Sequence, residues 1–381
     1  MGRVHTVIYL DNAATTLKKP FGMYLSLLKN TVKNSANAGR GGHFYSLKAA
    51  EGIYETTEAL CELFNIITPE RLVYTYNATY GINMAILGCL EPGDHVIITQ
   101  MEHNSVLRPV NRLCDYSIIK ADGEGRINVN DIEKEIKSNT KMIITTHASN
   151  VCGTIMPIDK ISKIAHDNNL YFMVDASQSA GSIPIDVEKT KIDILALSGH
   201  KGLMMPMGTG ILYVGENVRI KPVITGGTGS LSESIKQPEY FPDILQSGTQ
   251  NVPAIIAGKE SIKFILKHTP KAIGEKERYL AQKVIDNLMN MGKVKVYGVK
   301  NGIDRNGTVA FNIEGMDSVN LSQILNDEYG ICTRGGWHCA YQSHIALGTQ
   351  KIGAVRASFG YFNSLSDVEK LTGAIKKITK K

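Results

Sequence analysis

Short apolar strands alternate with amphipathic helices through the first two thirds of the chain, and this alternation constrains the fold more than any other feature. The pattern predicts helices over 21–33, 43–64, 79–90, 131–138 and 160–168. It predicts strands over 71–75, 95–99, 141–146, 170–174, 193–196 and 210–214. Leu47, Ala50, Ile53, Tyr54, Thr57 and Leu60 recur at helical spacing in the longest helix. The strand at 95–99 has almost no polar face, which suits a sheet covered on both sides. Strands and helices in this order imply an α/β fold with a largely parallel sheet. At 381 residues the chain is too long for one core, so a large domain with a smaller one is expected.

The pattern changes after residue 215. Lys221 to Val252 is rich in Gly, Ser, Pro and Gln, and a stretch this long without regular structure is usually functional. A helical region over 253–291 and an α+β tail follow, with a strand at 355–359 carrying Arg356. Lys and Arg outnumber Asp and Glu by 42 to 36, a mild excess with no long basic block, so no nucleic-acid partner is indicated. The first residues lack the apolar core and cleavage site of a secretory leader, and no run of about 18 apolar residues exists to span a membrane. The six cysteines include no CxxC pair, so a reducing cytoplasm is expected rather than a disulfide framework. GxGxxG after the first strand and GxxxxGK[ST] are both absent.

Ligands of open α/β sheets bind outside the carboxyl ends of the strands. The residues following the expected strands are Asn77-Ala78-Thr79, Glu102-His103, His147 with Ser149-Asn150, Asp175-Ala176-Ser177-Gln178 and Ser198-Gly199-His200-Lys201. Taken singly, Asp175 reads as a cap, Lys201 as a solvated lysine and His103 as a surface histidine. Taken together they gather an acid, a lysine, histidines, amides and hydroxyls at one sheet edge. A buried lysine suits Schiff-base chemistry, and Asp175 stands 26 residues before Lys201, one strand–helix–strand unit away. A lysine in imine linkage and an acid on a pyridinium nitrogen are what a pyridoxal-phosphate site requires. Asn77-Ala78-Thr79 leads into a helix whose N-terminus suits the phosphate.

A second constellation is Thr333-Arg334-Gly335-Gly336-Trp337-His338-Cys339-Ala340. A thiol beside His338 and near Arg334 is expected to ionise more readily than a free one, which makes Cys339 a candidate nucleophile. The alternatives are a buried structural cysteine and a partial zinc set with His338 and His344, which lacks a second close Cys. Arg356 suits a bidentate grip on a carboxylate, or an ordinary ion pair.

These segments, with Tyr9-Leu10-Asp11-Asn12-Ala13-Ala14-Thr15-Thr16 and Ser149-Asn150-Val151-Cys152-Gly153-Thr154, occur in an order that resembles the class V aminotransferase-fold cysteine desulfurases and selenocysteine lyases. The likeness runs from about residue 9 to 372. It implies a fold-type I pyridoxal-phosphate enzyme with a mixed, mostly parallel sheet flanked by helices. Residues 15–255 would form the large cofactor domain, and 1–14 with 256–381 a small α+β domain. Lys201 would carry the imine, Asp175 the pyridinium proton, and His103 would stack on the ring. Gln178 and Asn150 would reach the phenolic oxygen and the substrate. Ala78, Thr79, Ser198 and His200 would hold the phosphate, with Thr249 added from a second subunit of a homodimer. Arg356, Asn150, Ala13 and Arg334 would bind substrate, and Cys339 would take sulfur from L-cysteine as a persulfide. Arg40-Gly41-Gly42-His43 resembles a loop contributed by the partner subunit. No metal is implied.

Cys339 lies seventeen residues before Arg356, which resembles the short-loop, Suf-like group II type and implies a sulfur-acceptor protein. The Met-rich link Gly202 to Gly210, Tyr341-Gln342 after Cys-Ala, and Gln246 before Ser-Gly-Thr depart from the family pattern. They leave the substrate preference open. The alternatives are a selenocysteine lyase, a class V aminotransferase or lyase that does not use Cys339, and a cofactor-free thiol carrier.

Overall fold

The computed structural model describes residues 7–39 and 41–380. Arg40, and the parts of the expected small domain at 1–6 and 381, lie outside the described residues. The strands in chain order are β1 (Ile8–Tyr9), β2 (Leu72–Thr75), β3 (His95–Thr99), β4 (Asp115–Ile119), β5 (Thr140–Thr146) and β6 (Tyr171–Asp175). They continue with β7 (Ile194–Ser198), β8 (Gly210–Val214), β9 (Val294–Tyr297), β10 (Thr308–Ile313), β11 (Ile331–Cys332) and β12 (Val355–Ser358).

Seven strands form one sheet in the order β2-β8-β7-β6-β5-β3-β4. All run the same way except β8, which is antiparallel to both its neighbours. Side chains alternate between two apolar layers, as a pleated strand requires. Ile97, Ile143, Phe172 and Leu195 pack with Leu60, Phe64, Ile161 and Ile262 of helices Phe44–Phe64, Ile158–Asp167 and Val252–His268. Val96, Ile98, Ile144, Met173 and Ile194 pack on the opposite face with Ile82, Ile86, Val106 and Val110 of helices Ala78–Cys89 and Asn104–Leu113. This double cover explains the unbroken apolar runs.

A separate apolar cluster joins Ile8 and Leu10 to residues from Leu280 to Ile378 around the antiparallel sheet β12-β10-β9. The short strand β1 pairs parallel with β11, tying the two ends of the chain together.

Two expectations are amended. Helix Asn104–Leu113 and edge strand β4 are absent from the sequence pattern. The helix contains Pro109, which ordinarily argues against one, and β4 is only partly buried. The helical region at 253–291 is two helices, Val252–His268 and Pro270–Met289, because Pro270 cannot continue the first and starts the second. The link after Lys201 also divides. Met204 and Met205 are core residues, whereas Met207 is 64% exposed.

Candidate active site

Five parallel strands deliver their following residues to one pocket. β2 brings Asn77, Ala78 and Thr79; β3 brings His103 and Ser105; β5 brings Thr146 and Asn150. β6 brings Asp175, Ser177 and Gln178, and β7 brings Ser198, His200 and Lys201. Two helices begin at this pocket. Asn77 caps helix Ala78–Cys89, its side chain accepting the Tyr80 N–H at 3.1 Å. His103 caps helix Asn104–Leu113, its Nδ1 accepting the Ser105 N–H at 3.0 Å. Helix N-termini present free N–H groups and positive dipole ends, so the pocket suits an anion.

The Ser105 N–H fixes Nδ1 of His103 as the acceptor, so a neutral ring carries its proton on Nε2. Burial lowers the His103 pKa to about 4, so it is neutral near pH 7. Thr79 Oγ1 lies 2.7 Å from Ser105 Oγ, which lies 2.8 Å from His103 Nδ1, so the three form one network.

Burial lowers the Lys201 pKa to about 8, against the opposing pull of Asp175; Arg356 and Arg334 add to the lowering. The lysine turn is set by close backbone packing. A Cβ on Gly199 would lie 2.2 Å from Thr209 Oγ1, and one on Gly202 would lie 2.3 Å from the Ala180 carbonyl oxygen. The Lys201 carbonyl accepts from Thr16 Oγ1 and from the Met204 N–H, both at 2.8 Å.

His200 Nδ1 and Arg356 Nε are buried without a hydrogen-bond partner. Such atoms are costly unless something satisfies them, and Nε can only donate. The two helix N-termini, with His200 beside them on the pocket wall, fit an anionic group, and Arg356 Nε is a separate free donor. Asp175 and an amine that ionises near neutrality complete the set for a cofactor with a phosphate, a protonated ring nitrogen and a carbonyl.

The cysteine loop lies against this pocket. His338 and Cys339 have φ of 50° and 56°, two consecutive non-glycine residues in the left-handed region. Each costs roughly 1–2 kcal/mol, so the surroundings must impose it. The Asn104 N–H donates to the Cys339 carbonyl at 2.8 Å, and Asn150 Nδ2 donates to the His338 carbonyl at 2.7 Å. The Cys339 side chain is exposed, whereas burial raises Cys61 to about 11, Cys89 to about 12 and Cys114 to about 11. Those three remain protonated thiols.

His338 differs from expectation. Its Nε2 is 3.0 Å from the Arg334 carbonyl oxygen and its Nδ1 is 3.3 Å from His344 Nε2. Both nitrogens are engaged, so His338 is not placed to take the proton of Cys339. His338 and His344 do come together, but through facing nitrogens; no group of three or more metal-ligating side chains occurs among the described residues.

At the other side, Arg356 is 2% exposed. Its Nη2 donates to Asp11 Oδ1 at 2.6 Å and its Nη1 to the Asn150 carbonyl at 3.0 Å, leaving Nε free. A bidentate grip on a carboxylate would therefore share Nη2 with Asp11. Arg334 is paired to Arg356 through the backbone and its side chain is exposed. The Ala13 N–H donates to Ser358 Oγ at 2.8 Å, and its carbonyl accepts from Gln178 Nε2 at 2.9 Å. Thr249 is not brought to this pocket. It is exposed and lines a separate cleft with Tyr76, Tyr80 and Gln246.

A family model described as aminotransferase class-V matches residues 8–371. The chain belongs to the class-V aminotransferase family. A protein of Pyrococcus abyssi named "Probable cysteine desulfurase" is 33% identical over 389 residues, covering 98% of this chain and 94% of that protein. The apo structure of cysteine desulfurase from Thermococcus onnurineus superposes with a TM-score of 0.91 at 33% identity, covering 98% of this chain and 95% of that one. A cysteine desulfurase structure from Escherichia coli, in an S-sulfonic acid form, matches with a TM-score of 0.87 at 25% identity over 98% and 95% of the two chains.

The class-V chain also uses residues that sequence reasoning passed over. Asp11 stood in the first motif without a role, yet it holds Arg356 across 345 positions of sequence. Ser105, whose hydroxyl lies 2.7 Å from that of Thr79, was hidden because its helix was not expected. Glu102 is 2% exposed, accepts from Thr99 Oγ1 at 2.6 Å and from the Thr146 N–H at 2.9 Å, and burial raises it to about 8. Its place beside the His103 cap was legible; its burial was not.

Proposed function

We propose that this chain is a pyridoxal-phosphate-dependent cysteine desulfurase that converts L-cysteine to L-alanine and holds the sulfur as a persulfide on Cys339. The observation that carries the reading is the attachment of an exposed cysteine loop to a pocket containing a buried lysine and acid. Asn104 and Asn150, which bond the loop backbone, are on the pocket wall or next to it. The relatives' names point the same way.

Lys201, Asp175, His103, Ala78, Thr79, Ser198 and His200 would hold the cofactor, whose bound ring supplies an electron sink for negative charge at the substrate Cα. Asp175 would keep a ring nitrogen of that cofactor protonated. Lys201, with its pKa near about 8, is suited to take and return a proton at Cα. Gln178 and Asn150 orient the ring substituent and the substrate, while Arg356 Nε, near Arg334 and Ala13, receives the substrate carboxylate. Cys339 Sγ attacks the substrate sulfur and forms an S–S bond as the C–S bond breaks. The thiol proton passes to the carbon product, so one cysteine and one thiol yield one alanine and one persulfide.

The reading assigns 15–255 to a cofactor domain and 1–14 with 256–381 to a substrate domain. It includes a homodimer, in which Thr249 and the exposed Tyr76, Tyr80 and Met207 would meet a second copy. It also includes a protein that accepts sulfur from exposed Cys339. Six free cysteines suit a reducing cytoplasm, and no helix among the described residues is long and apolar enough to cross a membrane.

The test measures alanine and sulfide from cysteine, and alanine from selenocysteine, with a reductant present. Cys339→Ala should retain the visible band of bound cofactor and lose alanine release from cysteine. Lys201→Ala should lose the band. A Cys339→Ala enzyme with full cysteine activity would refute the persulfide role, and selenocysteine as the only substrate would make the chain a selenocysteine lyase.

A further inference from the structure

Behind the cysteine loop lies a buried pair of histidines that the proposed chemistry does not use. His338 is 4% exposed and His344 is not exposed at all. Their rings stack with centroids 5.4 Å apart. Four groups form a line: Thr349 Oγ1 is 2.7 Å from His344 Nδ1, His344 Nε2 is 3.3 Å from His338 Nδ1, and His338 Nε2 is 3.0 Å from the Arg334 carbonyl oxygen.

The end of the line fixes its direction. A carbonyl only accepts, so His338 Nε2 must carry a proton and donate. In a neutral ring Nδ1 is then an acceptor, so His344 Nε2 must donate to it. That leaves His344 Nδ1 as an acceptor, and the Thr349 hydroxyl must donate. With both rings neutral, this arrangement gives all four ring nitrogens a partner, while the Thr349 hydroxyl also lies 3.4 Å from the His344 carbonyl and His344 also bonds the Trp337 backbone. The surroundings favour neutrality: the rings are buried, and Arg334 and Arg356 both disfavour a positive His338. Among the described residues, no acid is among the groups that act on either ring.

His338 is also the first of the two left-handed residues that display the thiol. Asn150 and Asn104 hold the loop backbone from the pocket side. The hydrogen-bonded line holds its ring from the opposite side, and Thr349 is tied to the same helix turn by its N–H donating to the His344 carbonyl at 2.8 Å.

We propose that His344 and Thr349 are positioning residues for the nucleophile: through one fixed set of donors and acceptors they lock the tautomer and orientation of His338, and so the backbone that presents Cys339. This rests on the reading of Cys339 as the nucleophile. The line bonds to no reacting atom, so its loss should lower turnover without weakening substrate binding.

The test uses the full-length holoenzyme and the pair Thr349→Val and Thr349→Ser. Valine matches the shape of threonine and removes the donor; serine restores it. Losing the donor should lower kcat about fivefold, the worth of one buried hydrogen bond, with KM unchanged, and Thr349→Ser should recover most of the loss. A readout independent of activity is the ¹⁵N spectrum of histidine-labelled protein. Wild type should show two histidines, assigned with His338→Gln and His344→Gln, as neutral Nε2–H tautomers throughout pH 6–8. In Thr349→Val the His344 signal should move toward the other tautomer. Either ring found charged or as Nδ1–H in wild type overturns the proposal, as does a Thr349→Val enzyme with unchanged kcat and unchanged spectrum. If the chain proves not to be a desulfurase, the spectrum still decides whether the lock exists.

Discussion

Asp11→Asn isolates one charge beside the buried Arg356. The Asp11 side chain bonds Arg356 at 2.6 Å, and the change keeps its shape and an accepting oxygen. Arg356 is buried, with the Asn150 carbonyl as its other partner. Two unit charges about 4 Å apart attract by about 4 kcal/mol at an effective dielectric of about 20. Removing one partner of a buried pair costs about 3–5 kcal/mol, because the remaining charge is left uncompensated. The asparagine oxygen retains a hydrogen bond worth about 1 kcal/mol, so a loss of about 2–4 kcal/mol is expected. The assay is urea unfolding of the apo-protein, read as a lower midpoint at unchanged slope. Asp167→Asn is the control, because its pair with Lys163 is exposed and should change stability by less than about 0.5 kcal/mol. If the two variants lose equal stability, the buried pair does not hold the guanidinium as argued.

Two further outcomes follow from packing and from titration. Gly202→Ala should destabilise strongly because its Cβ meets backbone at 2.3 Å, whereas Gly373→Ala, in open space within helix Leu365–Ile378, should stabilise by roughly 0.5–1 kcal/mol; thermal melts that fail to separate them would contradict the close packing at the lysine turn. The apo-protein should gain stability as pH rises from about 4 to about 6.5. His103, His147 and His200 titrate near about 4 when folded, below their unfolded value, so their contribution is full above about 6.5 and is lost as pH falls toward 4. Burial raises Glu102 to about 8, so its contribution is present below its unfolded value and is lost as pH rises through about 8. Burial raises Glu277 to about 8 as well, so Glu102→Gln should reduce the decline between pH 6.5 and 8 without abolishing it, and an unchanged decline would remove Glu102 as one of its sources.

The sheet was legible because strands covered on both faces leave unbroken apolar runs, as in β3 and β7. The pocket was legible because its residues directly follow those strands. Asn77, His103, Asp175 and Lys201 could be found by asking what comes after each one. What a linear pattern does not carry is which partner a side chain chooses. His338 stands beside Cys339 in sequence, yet its ring turns to His344 and the Arg334 carbonyl. Asp11 finds Arg356 only once β12 lies beside the first residues. Helix Asn104–Leu113 carries Pro109 in its interior, a residue that ordinarily argues against a helix.

The Asp11–Arg356 contact also sets an order of events. A chain leaves the ribosome from its N-terminus, and domains tend to fold as units during synthesis. The strands from Leu72 to Val214 can assemble their sheet, with the lysine and its surrounding pocket, long before residue 356 is made. Asp11 emerges first and finds its partner near the end. The side of the site that would receive a carboxylate is therefore completed last, so a chain interrupted before β12 would lack Arg356.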